Sequence, residues 1–239
     1  MMEGADLGGR TVLVTGASRG IGARVAERLA EAGARVWLLG RSRGALTELA
    51  ARTGGVALVA DLTDEVALWE ALDRLQDELK GAPDIVVNAA GVFGLAPVAQ
   101  ETVKSLDAHL DVNLRGPFLV VRALLPSMLE RGRGIIVNVG SVAGRKAFPG
   151  NAAYSASKFG LRGFHEVLLE ETLGTGVRVT LLEPAATDTP LWDPLDPDSD
   201  PGLPDRVAML TPDDVAEAVL FVVSRPDTVR IPVLQIERA

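Results

Sequence analysis

The chain of 239 residues contains no cysteine. Disulfides, a thiolate nucleophile and a cysteine-ligated metal are all excluded by that absence. Its two histidines, His109 and His165, lie far apart with no ligand-like spacing around them, which argues against zinc chemistry. Aromatic residues make up only 4% of the chain, so Val, Leu, Ile and Ala must fill the interior. No run of about 18 apolar residues occurs, so no membrane-spanning helix is expected. The first ten residues lack the apolar segment of a secretory signal, and a cytoplasmic protein is expected. A net charge of −8 disfavours nucleic acid and anionic membrane surfaces as partners, because both reward clustered Lys and Arg.

What is present suffices for one sizeable α/β domain spanning residues 1–239, since 47% of the chain is apolar. Short apolar runs of strand type stand at Thr11–Val14, Arg35–Leu39, Val56–Ala60, Asp84–Val87, Ile135–Val139 and Val177–Leu182. Segments of helical period alternate with them at Ala23–Ala32, Asp64–Leu79, Val103–Leu129 and Ala152–Leu173. Thr211 followed by proline predicts the N-cap of a last helix over Pro212–Ser224. A final strand is predicted over Val229–Ile236, where Pro232 removes a ladder donor and points to an edge or a bulge. Strands apolar throughout are buried on both faces, which requires a parallel sheet. Right-handed crossovers then give a doubly wound, Rossmann-type parallel sheet with helices on both faces, and seven strands in the order 3-2-1-4-5-6-7 are expected. One segment breaks the rhythm: Asp193–Asp205 is rich in proline and acid. It is either a solvated loop or part of a substrate loop over about 189–210, a lid beside the carboxyl end of the sixth strand.

Between the first strand and the first helix stands Gly16-Ala17-Ser18-Arg19-Gly20-Ile21-Gly22. Glycines there let the backbone approach a pyrophosphate, and the helix N-terminus offers unpaired N–H groups, so a dinucleotide is expected. At the end of the second strand a carboxylate would take the adenosine ribose hydroxyls. The chain instead reads Arg41-Ser42-Arg43. With Arg19 these residues suit a 2′-phosphate, and the expected cofactor is NADP(H). The alternative, that the arginines are solvated surface charges, leaves the missing carboxylate unexplained. Asp61, just before Leu62, either accepts from the adenine amino group or caps the next helix, for which Thr63 or Asp64 is better placed. Asn88-Ala89-Ala90-Gly91 offers either a flat surface for a ring or tight strand–helix packing.

The only tyrosine, Tyr154, has Lys158 four residues later, on the same helix face. A phenol with a reference pKa of about 10 is a poor base near neutrality. A neighbouring ammonium is expected to lower it. Ser141, after the fifth strand, either holds a substrate oxygen against that phenol or does ordinary turn chemistry. Asn113 lies in a helical segment that Gly116-Pro117 should bend; its amide either binds a water leading towards Lys158 or is local polar filler.

Taken together, Thr15 to Gly22, Asn88 to Gly91, Asn113, Ser141 and Tyr154-Ser155-Ala156-Ser157-Lys158 resemble the short-chain dehydrogenase/reductase family over essentially the whole chain, in its NADP-preferring form. The resemblance implies hydride transfer between NADP(H) and a small-molecule carbonyl or alcohol by a tetrad of Asn113, Ser141, Tyr154 and Lys158. In that tetrad the tyrosine exchanges the proton and the serine positions the carbonyl. The lysine binds the nicotinamide ribose and lowers the tyrosine pKa, and the asparagine holds a relay water. It also implies a homo-oligomer, dimer or tetramer, packed through the two long helices at Val103–Leu129 and Ala152–Leu173.

Two departures stand out. Where the family has Pro-Gly and then an aliphatic residue and a threonine that clamp the nicotinamide amide, this chain reads Pro184-Ala185-Ala186-Thr187-Asp188-Thr189, leaving Pro184, Thr187 and Thr189 for that contact. The chain also ends without the longer Asp-Gly-Gly segment of the ketoacyl reductases, which fits small alcohols, hydroxy acids or other carbonyls better. A carrier-bound acyl substrate would want a basic docking patch, for which Arg145 and Lys146 are the nearby candidates. A dinucleotide-binding regulator without chemistry would have no need of the Tyr–Lys pair.

Overall fold

A computed structural model describes residues 6–239. Its seven strands are β1 (Thr11–Thr15), β2 (Arg35–Gly40), β3 (Val56–Val59), β4 (Ile85–Asn88), β5 (Gly134–Val139), β6 (Val177–Pro184) and β7 (Val233–Ile236). They form one sheet in the order β3-β2-β1-β4-β5-β6-β7, with every neighbouring pair parallel. The expected doubly wound, Rossmann-type fold and strand order are both observed.

Alternation along each strand sends successive side chains to opposite faces, and each face has its own helices. Val12 and Val14 of β1 point to the layer of α1 (Gly20–Glu31), α2 (Arg43–Thr53) and α7 (Pro212–Val223), where Val25, Leu29, Leu46, Val215 and Val219 are buried. Leu13 between them points to α3 (Glu65–Leu79), α5 (Gly116–Arg131) and α6 (Ala152–Glu171), against Leu68, Leu72, Leu124 and Leu168. No helix of the described residues is long and apolar enough to cross a membrane.

Helix ends follow the local chemistry. Thr211 caps α7 through a reciprocal capping box with Asp214, and Asp64, rather than Asp61, caps α3 by accepting from Ala67 N. Four features differ from the sequence reading. The helix α2 was not anticipated, because only Leu46 and Leu49 of its eleven residues are buried and its apolar stripe is faint. The segment Val103–Leu129 is not one bent helix: α4 (Val103–Leu110) passes through a π turn at Asp111–Arg115 into α5. The irregularity precedes Gly116-Pro117, the first two residues of α5. The last strand starts at Val233, so Pro232 lies just outside it; β7 is the sheet edge, as that proline suggested. The Pro- and acid-rich stretch carries one-turn 3-10 segments at Asp193–Leu195 and Pro197–Ser199.

Candidate active site

At the carboxyl edge of the sheet two hollows lie side by side. A cleft lies at the turn between β1 and α1, and a cavity of ≈ 600 Å³ lies beside the N-terminal turns of α6. Ile21, the stretch Ala89–Val92, Thr189 and Leu191 line both.

The cleft is mostly backbone and small side chains. Gly16 has φ 68°, and a Cβ there would lie 2.5 Å from Ala90 Cα, so only glycine lets the turn pack on the end of β4. Thr15 Oγ1 accepts from the N–H groups of Ala89 and Ala90, both at 3.2 Å, and fixes that flat surface. Arg19 stands at the N-cap of α1, whose first turn has no acidic residue and no side-chain cap, leaving its N–H groups facing the cleft. Ser18, Gly20, Gly22, Arg41, Asp61 and Leu62 line the cleft with it. Arg41 is 69% exposed and reaches Asp61 at 3.5 Å. Burial works to raise the Asp61 pKa, but hydrogen bonds from the Thr63 N–H and hydroxyl, with Arg41 nearby, leave it below the usual value.

Two expected cleft residues are not among those that line it. Ser42 occupies the N-cap position of α2 without a side-chain cap bond. Asn88 is 2% exposed and donates from Nδ2 to Asn138 Oδ1 at 2.9 Å, tying β4 to β5. Strand–strand bonding, rather than a ring surface, accounts for that side chain.

In the cavity, Tyr154, Lys158 and Ser141 come together from the first turns of α6 and the end of β5. Lys158 is 5% exposed; its Nζ donates to Val139 O at 2.9 Å and lies 5.7 Å from the centre of the Tyr154 ring. Burial pushes the lysine down to about 8. Burial also raises the Tyr154 phenol, partly offset by the facing Ser141 hydroxyl. The expected lowering of Tyr154 by its lysine is thus reversed in the protein by itself. Desolvation penalises the charged form of both groups.

Asn113, fully buried in the π turn, holds elements together. Its Oδ1 accepts from Val92 N at 2.8 Å, and its Nδ2 donates to Val92 O and to Ser157 Oγ, each at 3.0 Å. Ser157 in turn donates to Tyr154 O at 2.6 Å. Both N–H donors of the amide are used, so only a second lone pair on Oδ1 is left for the expected water. Pro184 and Thr187 line the cavity, and Thr189 lines both hollows.

Sequence reasoning missed the aromatic wall. Phe93 packs edge-on against Tyr154 with ring centres 4.9 Å apart, and against Trp192 at 4.8 Å. In a chain with six Phe, three Trp and one Tyr, such scarce residues in loops after β4 and β6 were the available signal. Arg206 gathers the loop that carries Trp192. Its guanidinium bonds Asp188 at 2.5 Å and Asp193 at 2.7 Å, and its N–H donates to Asp198 at 2.8 Å. Arg145, one of the two basic candidates, is committed to Glu237 at 3.0 Å and to the buried Glu183 at 3.4 Å.

The profile of the short chain dehydrogenase family matches residues 10–200. The chain belongs to the short-chain dehydrogenase family. Among its relatives, D-threitol dehydrogenase of Mycolicibacterium smegmatis is 37% identical over 227 residues, covering 91% of this chain and 87% of that one. An uncharacterized oxidoreductase of Staphylococcus saprophyticus is 34% identical over 232 residues, covering 95% and 96%. Among solved structures, a closed form of serine dehydrogenase complexed with NADP+ superposes with a TM-score of 0.88 at 35% identity, covering 95% and 94% of the two chains. A gluconate 5-dehydrogenase of Burkholderia cenocepacia, in complex with NADP and tartrate, gives 0.89 at 29% identity, covering 98% and 95%. As a short-chain dehydrogenase the chain is an oxidoreductase.

Proposed function

We propose that this short-chain dehydrogenase reduces a small carbonyl compound with NADPH, with Tyr154 as the proton donor. One observation carries the reading: a half-buried Tyr154, the buried Lys158 and Ser141 share a cavity that has a wall in common with the glycine-turn cleft. The cleft fits a dinucleotide, because its helix N-terminus is uncapped and free of acid and its walls are flat. Arg19 and Arg41 would hold a 2′-phosphate, for which Arg41 must leave Asp61, an exposed pairing of little worth. The solved relatives whose titles name NADP support the same choice. Thr187 and Thr189, which line the cavity, would hold the nicotinamide end. When bound, NADPH supplies the hydride.

The protein's own residues do the rest. The Ser141 hydroxyl orients the carbonyl oxygen towards Tyr154 Oη. A phenol kept protonated by burial is a competent donor, so its proton passes to the oxygen as negative charge develops there. The Lys158 ammonium stabilises the phenolate left behind. Asn113 holds the turn of Tyr154 through Ser157 and offers one lone pair to a relay water. Relatives named for threitol, serine and gluconate support a small polar substrate over a carrier-bound acyl chain. The engagement of Arg145 with Glu183 and Glu237 likewise leaves Lys146 alone of the two basic candidates for docking a carrier. Exposed Val103, Phe118, Phe159 and Val167 on α4, α5 and α6 supply an apolar surface for a homo-oligomer.

Loss of NADPH absorbance against a panel of aldehydes, ketones, keto acids and acyl thioesters tests the reading. Turnover of small ketones or keto acids is expected. Turnover of acyl thioesters alone, or tight NADPH binding with no turnover, contradicts it.

A further inference from the structure

Among the described residues, the charged groups lining the cavity around Tyr154 are the cations Arg145, Lys146 and Lys158 and the single anion Glu237, in a chain of net charge −8. A hollow lined by cations in an acidic molecule concentrates anions. Lys158 serves the phenolate, whereas Arg145 and Lys146 have no part in proton donation. Arg145 stands four residues beyond Ser141, past the one-turn 3-10 segment Val142–Gly144, a rise of about 8 Å. Its guanidinium has two carboxylate partners of different kinds. Glu183, at 3.4 Å, is 1% exposed and is fixed by two other side chains: Arg162 donates to its Oε1 at 2.6 Å, and Gln235 donates to its Oε2 at 3.2 Å. Glu237, at 3.0 Å, lies just past β7 with its side chain 63% exposed. The first partner holds Arg145 in place, and the second is an exposed ion pair of little worth that can be exchanged. Beside them Lys146 rests its ammonium on Phe148, 5.4 Å from the ring centre, and pairs with no acid among the described residues.

Resting on the reading of Tyr154 as proton donor to a carbonyl oxygen, we infer that the substrate is a keto acid whose carboxylate is bound by Arg145 with help from Lys146. Glu237 shows which chemistry the position takes, since its own carboxylate already occupies Arg145 at the cavity wall. The substrate's carboxylate displaces that of Glu237, while the bond to Glu183 stays. A guanidinium meets the two oxygens of a carboxylate with parallel N–H donors, and the neighbouring ammonium adds charge without fixing a direction. The rise from Ser141 sets the carboxylate several bonds from a carbonyl held at that serine, which suits a β- or γ-keto acid. The rest of the wall includes Leu95, Phe148, Leu191 and Leu203, which pack a carbon chain and offer it no hydrogen bonds. The competing role is structural: the Arg145–Glu237 pair ties the segment after β7 to the loop after β5. The two roles differ in sign. In a tie, removing either charge breaks the same bond and acts alike. In a site, loss of Arg145 removes the receptor, whereas loss of the Glu237 charge removes its competitor.

The test compares kcat/KM with NADPH for acetoacetate and for levulinate, each against its own methyl ester, which keeps the carbonyl and removes the charge. It is run on wild type, Arg145→Gln, Lys146→Gln and Glu237→Gln, with thermal unfolding of each. Wild type should favour at least one acid over its ester by about tenfold or more, the worth of one charge-assisted contact, with the difference residing in KM. That ratio should shrink as salt is added. It should fall close to one in Arg145→Gln, fall by about threefold in Lys146→Gln and rise by about threefold in Glu237→Gln. A wild-type ratio near one overturns the inference, as does a ratio that Arg145→Gln leaves unchanged. A ratio that Glu237→Gln fails to raise also overturns it, and a fall there matching that in Arg145→Gln is the signature of a structural tie. Hydroxyacetone phosphate preferred over hydroxyacetone by more than either acid over its ester overturns the assignment to a carboxylate. Should Arg145→Gln not fold, the wild-type ratio and Glu237→Gln decide. If wild type binds NADPH but reduces neither acids nor esters, the proton-donor reading fails and takes this one with it.

Discussion

The cleft at the β1–α1 turn and the cavity beside α6 share a wall, but they are built from different materials. Glycines, alanines and strand-end backbone make the cleft, and its fit depends on what is missing: a Cβ at Gly16, an acid in the first turn of α1. The cavity depends on side chains brought from afar, with Phe93, Asn151, Tyr154 and Trp192 supplied by a loop after β4, helix α6 and a loop after β6. The first arrangement suits a ligand that many folds must hold in the same way; the second can be changed one loop at a time without disturbing the sheet. Binding and chemistry should accordingly respond to different substitutions.

The largest separation is expected from Gly16→Val. Its Cβ would lie 2.5 Å from Ala90 Cα at a φ of 68°, so the turn must distort. NADPH affinity should fall by about a hundredfold or more, with a loss of roughly 1–3 kcal/mol of stability read in thermal unfolding. Retained NADPH binding would break the comparison at its root. Next comes pH. Lys158, pushed down to about 8 by burial, carries its charge below that value and loses it above. Turnover at saturating NADPH should decline by about tenfold per pH unit beyond it, while the glycine-turn contacts do not titrate. A rate flat through that range contradicts the role given to the ammonium.

How much of this was legible follows the same division. The glycine turn, the Tyr–Lys spacing and the strands themselves are written locally, in spacing and in runs of apolar residues. The helix α2 was invisible because it buries only two residues, and the π turn because nothing in Asp111–Arg115 breaks a helix by itself. Asn88 and Asn113 were legible as important but not as to their use. Their amides are spent on Asn138, Val92 and Ser157, partners from 21 to 50 residues away, which no local pattern encodes. The reversed pKa of Tyr154 has the same origin, since desolvation comes from the whole cavity and not from the neighbour four residues on.

Two smaller effects sharpen the contrast. Arg41→Ala should raise the Kd for NADPH by about tenfold and leave that for NADH unchanged, measured by fluorescence titration. An equal loss for both dinucleotides would remove the 2′-phosphate from the account. Arg206→Ala, which unties the loop carrying Trp192 from Asp188 and Asp193, should raise KM for the carbonyl substrate by about threefold and leave the Kd for NADPH untouched. A change in NADPH affinity alone would show that the loop serves the cleft instead.

The most direct measurement is made on Tyr154→Phe, with NADPH binding and NADPH-dependent turnover followed in the same preparation. Removing one hydroxyl from the cavity should leave the Kd for NADPH within about threefold of wild type and lower kcat by about a hundredfold to ten-thousandfold. Turnover at the wild-type rate would show that the proton comes from another group, and loss of NADPH binding together with turnover would show that the two hollows cannot be separated.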